Sequence, residues 1–229
     1  PDPQYARLVE AGAEGFVIYQ ETYHRPTYVR LHRIGPKKDY VGRLKAPEEA
    51  AAAGFRRIGI GILLGLYDWR SDALALAAHA ERLLKTCWRS QITISLPRLR
   101  PAAGGFQPPH PVSDRDMVQL VCALRLAFPR VSLVLSTRET PKFRDGLIPL
   151  GITLISAGSR TDPGGYTGAG LRRTGANGRN SCGKRRQPAG AAQEQFRICD
   201  TRGAHQVADK LVRMGFDPVW KDWDASLCG

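Results

Sequence analysis

The chain has 229 residues, 42% of them hydrophobic and 24% charged, with a net charge of +13. That composition fits a soluble globular protein of one medium domain, or one domain with an appendage. No apolar run reaches the ~18 residues of a membrane-spanning helix, and the opening residues Pro-Asp-Pro-Gln-Tyr have neither the basic nor the apolar region of a signal peptide.

From the N-terminus, residues 5–11 read as the end of a helix, and 15–19 (Gly-Phe-Val-Ile-Tyr) as a buried strand. A polar loop follows. Pro47 then opens a helix over 47–53, with Gly54 just past its end. Residues 58–64 form the next strand. Ser71 caps a helix over 72–87 that carries Leu74, Ala77, Ala78 and Leu83 at helical spacing. A strand covers 92–96. Ser113 caps a helix over 114–128, with Met117, Leu120, Val121, Leu124 and Ala127 on one face. A strand over 131–135, a short helix over 141–150, a strand over 152–155 and a last helix over 201–214, stopped by Gly215, complete the series.

Five apolar strands alternating with helices describe a parallel sheet covered on both faces. The fold class is α/β, a partial (β/α) barrel of the TIM type holding about the last five strands, with a C-terminal helical extension. An open doubly wound sheet is the rival, but no Gly-rich phosphate fingerprint follows the first strand. Without an initiator Met, the chain reads as starting within a longer protein.

The positive charge invites a nucleic-acid reading. Residues 167–197 hold seven Lys or Arg against one Glu, so about half of the excess lies there. That segment is Gly-rich, has no aromatic through Gln195, and accompanies no nucleic-acid-binding motif, so the expectation is a solvated disordered loop over 171–193 and no nucleic acid. Three units follow: 1–166, the 167–197 loop, and 198–229. The five cysteines are widely spaced with no C-x-x-C pair. This argues for reduced thiols and a cytoplasmic location rather than disulfides or zinc.

In a barrel, functional groups stand just past the C-terminal strand ends. There the sequence places Gln-Glu-Thr-Tyr-His at 20–24, Gly65 to Arg70, Pro-Arg-Leu-Arg-Pro at 97–101, Ser-Thr-Arg-Glu at 136–139 and Ser-Ala-Gly-Ser-Arg at 156–160. With Pro-Gly-Gly-Tyr at 163–166 and Pro-Val-Trp-Lys-Asp-Trp-Asp at 218–224, all of these motifs but Gly65 to Arg70 resemble the aromatic amino acid lyases of the radical S-adenosylmethionine superfamily. The last motif points to the thiamine branch rather than to the hydrogenase-maturation or tryptophan lyases.

The resemblance implies cleavage of the Cα–Cβ bond of L-tyrosine to 2-iminoacetate and p-cresol. The agent is a deoxyadenosyl radical made from S-adenosylmethionine at a 4Fe-4S cluster. It also implies delivery of the imine to a thiazole synthase partner. Family members ligate the cluster through C-x-x-x-C-x-x-C. No cysteines here have that spacing, so the expectation is no metal site in this chain. An inactive remnant of a split or frameshifted gene is therefore a rival to the enzyme, as is a hydrogenase-maturation lyase.

On this reading Arg138 clamps the tyrosine carboxylate, against the alternative of a salt bridge to Glu139 or Asp145. Ser156 adds a hydroxyl to the same head group, and Tyr23 shapes the pocket beside His24. Of Arg98 and Arg100, one meets a carboxylate and the other is structural, and Arg98 is counted with Arg138, Ser156 and Tyr23 as substrate-binding. Glu21 and Arg43 bind the two ends of S-adenosylmethionine or pair with each other. Gly61 and Gly65 admit its adenine or serve close strand packing. Trp220 and Trp223 seal the barrel, and Tyr166 anchors a loop.

Overall fold

The structure is a computed structural model that describes residues 3–99, 106–160 and 198–220. Its elements in order are α1 (Pro3–Glu10), β1 (Gly15–Val17), α2 (Arg25–Leu31), a 3-10 turn (Pro36–Lys38), α3 (Tyr40–Ala52), β2 (Arg57–Gly61), α4 (Trp69–Thr86), β3 (Gln91–Ser95), α5 (Asp114–Ala127), β4 (Ser132–Leu135), α6 (Pro141–Leu147), a second 3-10 turn (Ile148–Leu150), β5 (Leu154–Ile155) and α7 (Ala204–Arg213).

The five described strands form one sheet in the order β1-β2-β3-β4-β5, and every pair is parallel. A doubly wound sheet reverses its strand order at a switch point. Here the order never reverses. With right-handed crossovers this keeps the helices on one face and curls the sheet toward a barrel.

The core lies between the sheet and its helices. Ile58, Ile60, Ile92, Ile94, Leu133 and Leu135 of the strands, with Ile62 just past β2, meet Leu76, Leu83, Leu120, Val121 and Leu124 of α4 and α5, and all are buried. Each such side chain contributes roughly 1.5–3 kcal/mol by leaving water. Helix α7 joins the same core through Leu211 and Met214. The α5 C-terminus is closed by Arg125, whose guanidinium donates to the carbonyls of Phe128, Pro129, Val131 and Gly151. This ties the turn after α5 to the loop that enters β5.

Several local expectations are corrected. The strand over 15–19 is not buried: β1 pairs only with β2 among the described residues, and Val17 is 60% exposed. The polar loop contains α2 and the start of α3, so Pro47 lies inside a helix rather than at its first turn. Pro47 is buried, and the missing N–H costs one helical bond. The cap of α4 is Asp68, whose carboxylate accepts the Ser71 N–H at 2.8 Å. Ser71 is the residue being capped. The Ser113 cap of α5 is as expected, reinforced by Asp116 reaching back to the Ser113 N–H. The expected 171–193 loop, Arg100, Tyr166 and Trp223 lie outside the described residues.

Among the described residues, no helix is long and apolar enough to cross a membrane.

Candidate functional site

Past the strand ends the backbone remains tied into the sheet. Glu21 bridges Ile62 and Leu64 bridges Arg98, both in parallel sense. The Leu63 N–H donates to the Glu21 carbonyl at 2.8 Å, and the Leu64 N–H to the Pro97 carbonyl at 2.9 Å. The loops that carry the candidate residues are thus extensions of the sheet, which fixes where their side chains start.

At the β1–β2 end, Glu21 has φ 69°, and no other described non-glycine residue has a positive φ. The left-handed conformation costs such a residue ~1–2 kcal/mol, and a cost of this kind persists where the surroundings impose it. The Glu21 carboxylate meets Lys37 Nζ at 3.0 Å and the Arg43 guanidinium at 3.4 Å. Arg43 also donates from Nε to the Tyr19 carbonyl at 2.6 Å. Of the two expectations for Glu21 and Arg43, their pairing with each other is therefore the one present.

Two buried groups that sequence reasoning missed hold this loop from behind. Asp72, on α4, accepts the Thr22 hydroxyl at 3.0 Å and the Tyr23 N–H at 2.8 Å. Burial pushes its carboxyl above the usual range, and those two hydrogen bonds offset only part of the rise. The Tyr23 hydroxyl and His79 Nδ1 are 2.7 Å apart. Burial, with Tyr40 and Asp72 nearby, raises the Tyr23 phenol, and burial lowers His79. Tyr23 therefore turns its hydroxyl toward α4. His24 stacks on Tyr67 with ring centres 3.7 Å apart, and Tyr67 meets the edge of His110. An Asp inside the first turn of a helix after a polar loop was the only sequence signal for this arrangement.

Gly61 is required by packing. A Cβ there would lie 2.5 Å from the Ser95 carbonyl and 2.9 Å from the Tyr19 ring. Gly65 has φ +113°, a conformation that glycine adopts without penalty.

At the β3–β5 end the charges are buried in pairs. Arg98 is 6% exposed and grips Glu139 with both arms, its Nε at 2.8 Å from Oε1. Its remaining nitrogen reaches Asp114 at 2.7 Å and the Val112 carbonyl at 3.1 Å. Burial opposes this charge, but Glu139 and Asp114 outweigh it and hold the guanidinium above its ordinary range. The expected substrate-binding role of Arg98 is thus corrected: the carboxylates that it meets are the chain's own.

Arg138 follows β4, with its N–H on the Ser136 hydroxyl at 3.2 Å and a guanidinium nitrogen 3.5 Å from the Arg98 carbonyl. Ser156 follows β5, and its N–H donates to the Leu135 carbonyl at 3.1 Å. Behind them Arg144 pairs with Asp200 and donates to the Ser156 carbonyl, while Arg202 bridges Asp200 and Asp145, each at 2.8 Å. The structure therefore brings Arg98, Arg138 and Ser156 to neighbouring strand ends. It sets Glu21, Arg43 and Tyr23 at the other end of the sheet. Arg144, Asp200 and Arg202 were missed because they come together only in the fold.

The described cysteines are Cys87, Cys122 and Cys199, and no group of three or more His, Cys, Asp or Glu among the described residues could hold a metal. These residues do not fit an iron–sulfur cluster. The Glu21–Arg43 pair does fit the amino and carboxylate ends of an α-amino acid, one charge for each.

Residues 95–217 match the Biotin and Thiamin Synthesis associated domain. The chain is 42% identical over 227 residues to the 2-iminoacetate synthase of Escherichia coli (strain K12), covering 99% of this chain and 55% of that protein. It is 41% identical over 224 residues to the 2-iminoacetate synthase of Salmonella typhimurium (strain LT2), covering 97% and 54%. The chain thus spans about half the length of the curated relatives it matches. Its fold superposes on the crystal structure of HydG, a maturase of the FeFe-hydrogenase, with a TM-score of 0.80 at 37% identity, covering 96% of this chain and 44% of that one. HydG from Carboxydothermus hydrogenoformans gives 0.76 at 33% identity, covering 93% and 44%.

Proposed function

The chain belongs to the Biotin and Thiamin Synthesis associated domain family and is a homologue of 2-iminoacetate synthase, and from that premise we propose that it is the substrate-holding part of a radical S-adenosylmethionine tyrosine lyase. The reaction is cleavage of the tyrosine Cα–Cβ bond to 2-iminoacetate and p-cresol, with the imine passed to a thiazole synthase. S-adenosylmethionine supplies the hydrogen-abstracting radical when it is bound and reductively cleaved. The described residues offer no thiolate set for the cluster, so the work of this chain is to bind, orient and exclude water.

The observation that supports this reading is that Arg138 and Ser156 stand just past the ends of the paired strands β4 and β5, where a barrel places its functional groups. Glu139 is gripped by Arg98 and Asp145 by Arg202. Arg138 is read as the clamp for the tyrosine carboxylate, with the Ser156 hydroxyl beside it. Arg98 serves behind them as support. Glu21 and Arg43 are read as taking the ammonium and carboxylate of S-adenosylmethionine, with Gly61 and Gly65 letting the strand end lie close to its adenine. Tyr23 backs the pocket wall.

A hydrogenase-maturation role is the second reading, and the likeness to HydG favours it. The higher identity to the 2-iminoacetate synthases favours the thiamine role.

Calorimetric titration of L-tyrosine and of S-adenosylmethionine into wild type and Arg138→Met tests the site. Tyrosine binding weakens by ~2–5 kcal/mol, the usual cost of truncating a buried charge pair, and S-adenosylmethionine binding holds. If S-adenosylmethionine affinity collapses while tyrosine affinity holds, the two sites are reversed. If neither changes, Arg138 is structural.

A further inference from the structure

We propose that the Arg144–Asp200 pair is a positioning device for the amino-acid end of the site, holding the ends of β4 and β5 so that Arg138 and Ser156 meet one substrate head group. This rests on the reading of Arg138 and Ser156 given above.

Arg144 is 1% exposed and Asp200 is wholly buried. Their partners are the two strand ends. The backbone N–H groups of Cys199 and Asp200 both donate to the Thr137 carbonyl, each at 3.0 Å, and Thr137 directly precedes Arg138. Arg144 donates to the carbonyl of Ser156 itself. One ion pair therefore sits behind both candidate substrate residues. Its Arg144 side bonds the Ser156 carbonyl, and the Asp200 backbone bonds the carbonyl of Thr137, the residue before Arg138. Arg202 extends the clamp: it bonds Asp200 through Nε at 3.0 Å, and its carbonyl accepts the Gly158 N–H at 3.0 Å, just past Ser156.

Stability alone is a poor explanation for such a pair. A buried ion pair often contributes no more than apolar residues of the same volume. What a guanidinium adds is direction, because its nitrogens form a rigid fork. Bidentate capture of a carboxylate tolerates only a small angular error, so a clamp on the backbone beside Arg138 serves recognition of the carboxylate specifically.

The test uses L-tyrosine and tyramine, which share the phenol and the amine but differ in the carboxylate. Wild type, Asp200→Asn and Arg144→Lys are titrated with both. The second variant keeps the charge and shortens the reach to Ser156, so a result is available even if Asp200→Asn folds poorly. Amide hydrogen exchange of residues 132–138, 154–158 and 58–62 is followed in all three proteins without ligand.

Wild type prefers tyrosine, and the variants lose about 10- to 100-fold of that preference while tyramine affinity stays within about twofold. Exchange rises at 132–138 and 154–158 and not at 58–62. Equal weakening of both ligands, or a uniform rise in exchange, overturns the proposal and leaves the pair a role in stability only. Variants that keep the preference overturn the positioning role alone. A wild type that binds both ligands alike overturns the assignment of Arg138, and the substrate half of the proposal with it.

Discussion

At the β1–β2 end of the sheet the Glu21 and Arg43 side chains keep 12% and 15% of their surface, whereas at the β3–β5 end Arg98 and Glu139 keep 8% and 2%, and Arg144 and Asp200 keep 1% and 0%. The first pair is a single contact at 3.4 Å beside a strained backbone. The second set is bidentate and shared among several carbonyls. A loosely made pair with access to water can be opened by a ligand that replaces both charges. A dry pair cannot, because each charge stranded without its partner carries the full desolvation cost. The two ends therefore use the same residue types in different settings: a partly exposed contact at one, dry ion pairs at the other.

The largest expected effect is at the dry end. Glu139→Ala strands much of the Arg98 charge and lowers stability by ~3–5 kcal/mol, read from urea denaturation. A loss below ~1 kcal/mol, the range of exposed pairs, would erase the contrast between the two ends.

A second test uses pH, because the two buried aspartates have opposite signs. Asp72 has a folded pKa above its unfolded value of ~3.9. Its contribution is fully present below that value and is lost as pH rises through the folded pKa. Burial also raises Asp200, but the Arg202 hydrogen bonds and the Arg144 charge outweigh it and leave the group below its ordinary range. Its contribution is present above ~3.9 and is lost as pH falls through the folded pKa. The stability difference between wild type and Asp72→Asn should therefore shift against wild type as pH rises from about 4 to 7. The difference for Asp200→Asn should shift against wild type as pH falls below about 4. Urea midpoints across this range measure both, and slopes of the same sign would contradict the assignment.

The smallest effect is expected at Glu21. Glu21→Gly relieves the left-handed strain and gives up two partly exposed ion pairs, so stability changes by no more than about 1 kcal/mol. A loss of ~3 kcal/mol or more would make Glu21 as structural as Glu139 and sharpen the two ends into one.

The sequence was most legible where one physical signal dominated. The apolar runs of β2, β3 and β4 declared a parallel sheet, and Ser113 marked the start of α5. It was least legible over 25–46, where charge and aromatic residues obscure the helical period, and Pro47 gave a false start because α3 tolerates it internally. The candidate residues were found because barrels place function at strand ends. Their supports were not: Arg144 and Asp200 lie 56 positions apart, and no local pattern links them. Arg98 shows the same limit, since its identity promised a carboxylate and only the fold supplies which one.

The unreversed strand order also shapes how the chain is built. Each strand finds its partner in the one made just before it: Ile92 against Ile58, Val134 against Ser95, Ile155 against Leu135. No pairing among the described strands waits for a distant segment, so contact order stays low for a parallel sheet and the entropy of loop closure is met in small steps. As the ribosome releases each helix and strand, the growing sheet can extend by one ladder at a time, its newest edge open to the wrong neighbour until the next strand arrives.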